Sequence, residues 1–175
     1  MTRLRAALAA LALVATVLVG GCAQTPATTA VINGVVIRES AVEDMTQALI
    51  STGAVASYKD ARAEAAQNLI SGEVGRQVAL QDGIALTAAD IATLTADHPT
   101  YATFFTTPVG EQFAADYTNA VQVSTTSGVD WQTEFAAVPV ELNPRYGSWP
   151  DYVADLSSSA GSAVSTGSMS AVSGS

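Results

Sequence analysis

The 175-residue chain has few of the residues that most enzymes and metalloproteins use for chemistry. It has one cysteine, Cys22, and one histidine, His98. A single cysteine excludes an internal disulfide. One cysteine and one histidine together do not supply the usual ligands of a zinc site. The sequence also lacks a glycine-rich phosphate loop and a Gly-x-Ser-x-Gly elbow. We therefore predict that the protein is not an enzyme and that it binds no metal ion and no cofactor. We interpret His98, which precedes a proline, as a structural loop residue.

Basic residues are also scarce. The chain has 7 lysines and arginines against 16 acidic residues, which gives a formal net charge of −9. Nucleic-acid binding depends on neutralising phosphates, so this charge argues against a nucleic-acid partner. It equally disfavours peripheral attachment to anionic lipid. We interpret the acidity as a source of solubility through self-repulsion.

Long apolar runs are confined to the N-terminus, where residues 6–19 follow Arg3 and Arg5. The run is too short to span a bilayer but has the length of a signal-peptide core. It ends in Gly20-Gly21-Cys22, small residues before a cysteine, as in a lipobox. We predict a lipoprotein signal peptide over residues 1–21 and a lipidated Cys22 on the outer, extracytoplasmic face of the cell membrane. The alternative is an ordinary cleaved signal with a chance cysteine.

The rest of the chain divides into three parts. Residues 22–29 form a short polar tether, and residues 30–156 contain the apolar periodicity of one folded domain. Residues 157–175 hold nine serines and three glycines and are predicted to be disordered.

Two short β-branched runs flank Asn33-Gly34, a strong signal for a two-residue β-hairpin. The extended run 138–142 is the natural partner for these strands. Ser40 and Glu43 have the spacing of a helix capping box. The fold class predicted is mainly α, an antiparallel helical domain with a small sheet formed by the N-terminal hairpin and a C-terminal strand.

A long helix is predicted from about 58 to 81, with its apolar stripe including Leu80. Gly72 and Gly75 interrupt this helix and indicate either a close helix contact or a bend. Thr87 and Asp90 predict a capped helix start, and Thr107-Pro108 opens another helix.

Aromatic residues are concentrated late, with ten of the eleven in the second half of the chain. They favour a hydrophobic core there. A second interpretation is that some of them line a groove for extended apolar segments, because aromatic and methionine side chains suit adaptable binding surfaces. The predicted peptide-binding residues are Met45, Leu49, Phe105, Phe113 and Tyr117.

Three segments taken in order resemble the SurA-type extracytoplasmic chaperones. Residues 31–43 resemble the family's opening strand, turn and helix, and residues 68–84 with 86–91 resemble its long helix and the following helix start. Residues 140–149 resemble the closing strand of short actinobacterial lipoprotein relatives. The resemblance implies a SurA N-terminal-like domain whose two chain ends pair as strands.

This resemblance implies a chaperone that holds unfolded or extended polypeptides. Full-length family members also carry a parvulin domain that isomerises X–Pro bonds, for which this chain has no room. We therefore expect no isomerase activity. The rival hypothesis is an adaptor or structural lipoprotein that docks one specific partner in the cell envelope.

Overall fold

The computed structural model describes residues 25–126 and 131–158. These residues form mainly helices with one small antiparallel sheet, as the sequence predicts. The strands are β1 (Thr28–Ile32), β2 (Val35–Arg38) and β3 (Val140–Leu142), and the helices are α1 (Glu39–Ser51), α2 (Tyr58–Asp82), α3 (Ala88–Asp97), α4 (Pro108–Thr126), α5 (Trp131–Ala137) and α6 (Trp149–Ser158). The predicted signal peptide, Cys22 and residues 159–175 lie outside the described residues.

The sheet has the order β2-β1-β3, with both pairings antiparallel. Asn33 and Gly34 form the predicted turn with φ of 46° and 86°, as a two-residue hairpin turn requires. The domain begins earlier than predicted, because Thr28 and Thr29 of the expected tether are buried in β1. The tether before the domain is therefore shorter than the residues 22–29 predicted.

The predicted capping box at Ser40 and Glu43 does not form. α1 follows β2 without an intervening loop, so Arg38 occupies the N-cap position and makes no side-chain capping bond. The backbone N–H of Glu39 instead donates to the carbonyl of Ala27, 3.0 Å away. The residue before β1 thus satisfies one of the free N–H groups of the first helical turn.

Helix α2 is the centre of the domain and packs against both α1 and α4. It ends at Gly83, whose φ of 69° is the left-handed conformation that favours glycine at a helix end. Burial extends around much of its circumference, yet Leu80, assigned to the apolar stripe, is 68% exposed. Leu80 lies in the last turn of α2 beside the buried Val78 and Ala79, on the side of the helix that faces solvent.

Gly72 and Gly75 mark a close contact between α2 and α4. A Cβ atom added to Gly75 would lie 2.8 Å from the Cα and backbone N of Ala120. A Cβ on Gly72 would collide with the Cβ of Asp116. Of the two explanations open from the sequence, close helix contact is therefore correct.

The two other predicted helix starts are present. Thr87 and Asp90 form a reciprocal capping box at the start of α3, and α4 begins at Pro108. α3 packs on α4.

One carboxylate joins the two ends of the domain. Glu39 accepts hydrogen bonds from Thr29 at 2.6 Å and Tyr146 at 2.8 Å, and it pairs with Arg62 at 2.5 Å and Arg145 at 2.6 Å. These partners come from β1, from α2 and from the turn after β3. The arrangement ties the first strand and the C-terminal segment to the central helix.

Candidate functional site

Most of the predicted peptide-binding residues belong to the core. Met45 is 1% exposed, Leu49 is fully buried and Phe113 is 6% exposed, all in one cluster between α1, α2 and α4. The apolar faces of α1, α2 and α4 pack against one another and leave no open groove between these three residues. The prediction that these three side chains line an open groove is therefore wrong for this folded conformation.

Phe105 and Tyr117 are half-buried at the margin of the same cluster. The ring of Phe105 lies 5.9 Å from that of Tyr101, and the ring of Tyr117 lies 6.2 Å from that of Phe113. His98 packs edge-on against Tyr117 with 6.0 Å between ring centroids. These aromatic side chains cover the core, and only Phe105 and Tyr117 of the predicted set have partial access to solvent.

Polar groups are buried along the contact between α2 and α4. Burial raises the pKa of Glu64, although the hydroxyl of Tyr101, 3.1 Å away, opposes the shift by donating to the carboxylate. Asn68, one turn further on, is 4% exposed, and its amide atoms have no hydrogen-bond partner within the described residues. Burial also raises the pKa of Asp116 to about 6, against a lowering contribution from the Gln112 side chain 2.8 Å away. The two carboxyl groups cost stability at neutral pH because burial disfavours their charged forms.

Asp116→Asn is expected to raise the free energy of unfolding at pH 7 by about 1–3 kcal/mol. The folded-state pKa lies above the unfolded value, so the native protein loses stability as pH rises from about 4 to 6. The variant, which has no carboxyl to ionise, should lose less over this range. Urea unfolding at pH 4 and pH 7 measures both effects.

The control for this prediction is Asp44→Asn, which removes the same charge from an exposed position on α1. It should change the free energy of unfolding at pH 7 by less than about 0.5 kcal/mol. An Asp116→Asn protein with the pH dependence of the unsubstituted protein would contradict the buried, raised-pKa description of Asp116.

The described residues contain neither a cluster of metal-binding side chains nor a membrane-spanning helix. They bring together no group of three or more histidine, cysteine, aspartate or glutamate side chains that could hold one ion. None of the helices described is both long and apolar enough to cross a membrane.

The exposed apolar side chains point to a different surface. Among the described residues, four large hydrophobic side chains are exposed, and two of them, Val35 at 40% and Val36 at 44%, are consecutive in β2. β2 is an outer strand of the sheet, paired only with β1. Natural edge strands are usually protected by charge, proline or a covering segment, so an apolar exposed edge suggests an interaction surface.

The direction of the free backbone groups follows from the pairing. Asn33 N–H donates to the carbonyl of Pro139 at 2.7 Å, and Asn143 N–H donates to the carbonyl of Thr29 at 2.9 Å, so alternate residues of β1 face β3. Ile32 and Ala30 therefore face β2, where they pair with Val35 and Ile37. Because antiparallel bonding alternates along a strand, the backbone N–H and C=O of Val36, which lies between them, face away from the sheet.

We call this surface the β2 edge and define it as residues 35–38. The sequence patterns did not predict that it would be exposed. The hairpin signal located both strands. It did not show whether the C-terminal strand would pair with β1 or with β2, and that choice decides which backbone edge stays open. The valines of β2 were a signal for a strand but not for its exposure.

Comparison of the chain with protein-family models, with curated proteins and with solved structures finds no match in any of the three. The functional assignment therefore rests on the sequence pattern and on the surfaces described above.

Proposed function

We propose that this chain is a membrane-anchored extracytoplasmic lipoprotein that holds extended segments of unfolded, exported polypeptides. The observation that supports it best is the β2 edge, where the outward N–H and C=O of Val36 lie beside two exposed valine side chains. The lipobox-like sequence before Cys22 supports export and anchoring, and the resemblance of three segments to SurA-type chaperones supports the chaperone class.

An extended polypeptide fits this edge by adding one more strand to the sheet. Backbone hydrogen bonds make such binding tolerant of sequence, and exposed apolar side chains beside them favour apolar, β-branched segments. β2 has only four residues. Few backbone bonds can therefore form, each contributing about 1 kcal/mol net, so binding is weak and reversible without a nucleotide.

The acyl chain on Cys22 compensates for weak binding by keeping the edge close to the membrane where exported chains emerge. Tethering raises the effective concentration of a binding surface without any new contact. The acidic remainder of the chain keeps the loaded complex soluble by repulsion. No isomerase activity belongs to this proposal.

The test is suppression of aggregation by the protein without its signal peptide, residues 22–175, with several unrelated chemically unfolded clients. Val36→Pro removes the outward N–H donor at a position where the sheet does not use it, which is where edge strands tolerate proline. Val36→Thr keeps the donor and the branched shape. We expect the unsubstituted protein and Val36→Thr to suppress aggregation and Val36→Pro to lose most of this activity.

Circular dichroism and thermal unfolding establish that both variants are folded before they are compared. Equal suppression by Val36→Pro and Val36→Thr would remove the β2 edge from the proposal. Binding to a single folded envelope protein, with no effect on any unfolded client, would instead establish the adaptor hypothesis.

A further inference from the structure

We propose that one end of the domain docks on the anionic phospholipid headgroups of the membrane that holds the anchor. We call it the anchor end and define it as residues 25–26, 38–62 and 145. The inference rests on the proposed lipid anchor and adds to it the orientation of the domain. It follows from where the chain emerges and from how charge is distributed.

The chain leaves the domain close to the anchor. Three residue steps separate Cys22 from Thr25, the first described residue, and a fully extended chain spans about 10 Å over that length. Thr25 and Pro26 are themselves fixed to the domain. Asn143 donates to the carbonyl of Thr25 at 3.2 Å, and Arg145 donates to the carbonyl of Pro26 at 2.8 Å. A lipid on Cys22 therefore keeps Thr25 within about 10 Å of the point of attachment to the membrane.

Most of the positive charge lies at the same end. After removal of the predicted signal peptide the chain keeps five basic residues, and four of these belong to the anchor end. They are Arg38, Lys59, Arg62 and Arg145. Arg62 and Arg145 pair with Glu39, while Arg38 and Lys59 are exposed and form no ion pair with any described residue. These two cations are available to lipid phosphates.

The anchor end has no net charge, whereas the rest of the exported protein is strongly acidic. Four carboxylates accompany the four cations there, namely Glu39, Glu43, Asp44 and Asp60. The other twelve acidic residues of the chain lie elsewhere, where Arg76 is the single basic residue after the signal peptide. The excess negative charge of the exported protein thus lies entirely outside the anchor end.

The tip of the anchor end is uncharged. Residues 45–57, which comprise most of α1 and the turn into α2, contain no acidic or basic side chain. Tyr58, which follows, is 48% exposed, and its hydroxyl donates to Glu43 at 2.6 Å. A surface with no net charge and two exposed cations can approach an anionic membrane that repels the rest of the molecule.

The experiment uses residues 22–175 joined through the thiol of Cys22, the only cysteine, to a maleimide lipid in vesicles. One vesicle set contains phosphatidylcholine alone, and the other contains phosphatidylcholine with phosphatidylglycerol. Hydroxyl-radical footprinting then compares Tyr58 at the anchor end with Leu80 in the last turn of α2. The two reporters are separated by 22 residues of one helix, or about 33 Å.

On vesicles with phosphatidylglycerol we expect the oxidation of Tyr58 to fall about twofold or more relative to phosphatidylcholine vesicles, with Leu80 unchanged, because lipid headgroups attract cations only near the surface. Replacing both free cations, Arg38→Gln with Lys59→Gln, should abolish the difference. Arg76→Gln removes a positive charge away from the anchor end and should preserve it. High salt should abolish the difference by screening.

Equal oxidation of Tyr58 on the two vesicle types, or equal protection of Leu80, would overturn the proposed docking. Because the lipid is attached chemically, this result does not depend on acylation in cells or on chaperone activity. Those parts of the proposed function are tested separately, by metabolic labelling of Cys22 with a fatty acid and by aggregation suppression.

Discussion

Gly75→Ala is expected to lower the free energy of unfolding by about 2–3 kcal/mol, although alanine is the better helix former by about 1 kcal/mol. The added Cβ would lie 2.8 Å from the main chain of Ala120, so α2 and α4 must separate to accept it. Main-chain atoms cannot rotate away as a side chain can. Chemical denaturation of the purified protein measures the loss.

The control is Leu80→Ala, which shortens a side chain on the same helix that is 68% exposed, and should change stability by less than about 0.5 kcal/mol. Because the clash involves the backbone of Ala120, Ala120→Gly should not restore the stability of Gly75→Ala. A Gly75→Ala protein as stable as the unsubstituted one would show that α2 and α4 do not approach as closely as described.

Glu39→Gln is expected to lower the free energy of unfolding by a similar amount, about 2–3 kcal/mol. Glutamine keeps the shape of the side chain and can still meet Thr29 and Tyr146. It leaves Arg62 and Arg145 without the charge that they share, and the Glu39 side chain is only 15% exposed. Thermal and urea unfolding at pH 7 measure the loss.

The lowered pKa of Glu39 determines how this loss of stability depends on pH. Burial tends to raise the pKa of Glu39, but the hydrogen bonds from Thr29, Tyr146 and Arg62, with the charge of Arg145, outweigh it and lower the pKa. A carboxyl with a lowered folded-state pKa contributes stability above its unfolded pKa and loses it as pH falls through the folded value. The difference between the unsubstituted protein and Glu39→Gln should therefore shrink in acid.

The matched control is Glu43→Gln on the same helix. Glu43 also contacts Arg62, at 3.4 Å, but its side chain is 42% exposed and solvent screens the pair. We expect a smaller loss of stability than for Glu39→Gln. Equal losses at the two positions would contradict the role of Glu39 as the junction between the chain ends.

Local signals in the sequence predict much of the fold. Asn33-Gly34, Thr87 with Asp90, and Pro108 each act within a few residues, and each forms the element predicted for it. The signal at Ser40 fails because β2 runs directly into α1 at Glu39, which places Ser40 inside the first turn instead of at the N-cap. Glu39 N–H reaches Ala27 across the sheet, which no spacing within the helix could indicate.

Exposure was harder to predict than secondary structure. Met45 and Leu49 have the same apolar character in a groove as in a core, and only the packing of α1 against its neighbours shows that they are buried. Val36 is the opposite case, an apolar residue that is exposed. The sequence of a single strand does not show on which side its backbone groups form hydrogen bonds. The burial of Met45 and Leu49 and the exposure of Val36 depend on which elements pack together in the fold. The periodicity of one element does not contain that information.

The central claim, that extended polypeptides bind by adding a strand at the β2 edge, is tested most directly at the amide of Val36. NMR-detected hydrogen exchange of the folded protein is measured without and with a saturating unfolded client peptide. The account predicts that the outward Val36 amide becomes protected at least about tenfold, as a hydrogen bond to a bound strand requires, while exposed amides on α3 do not change. Bound peptide with an unchanged Val36 amide, and with changes at Phe105 and Tyr117 instead, would contradict it.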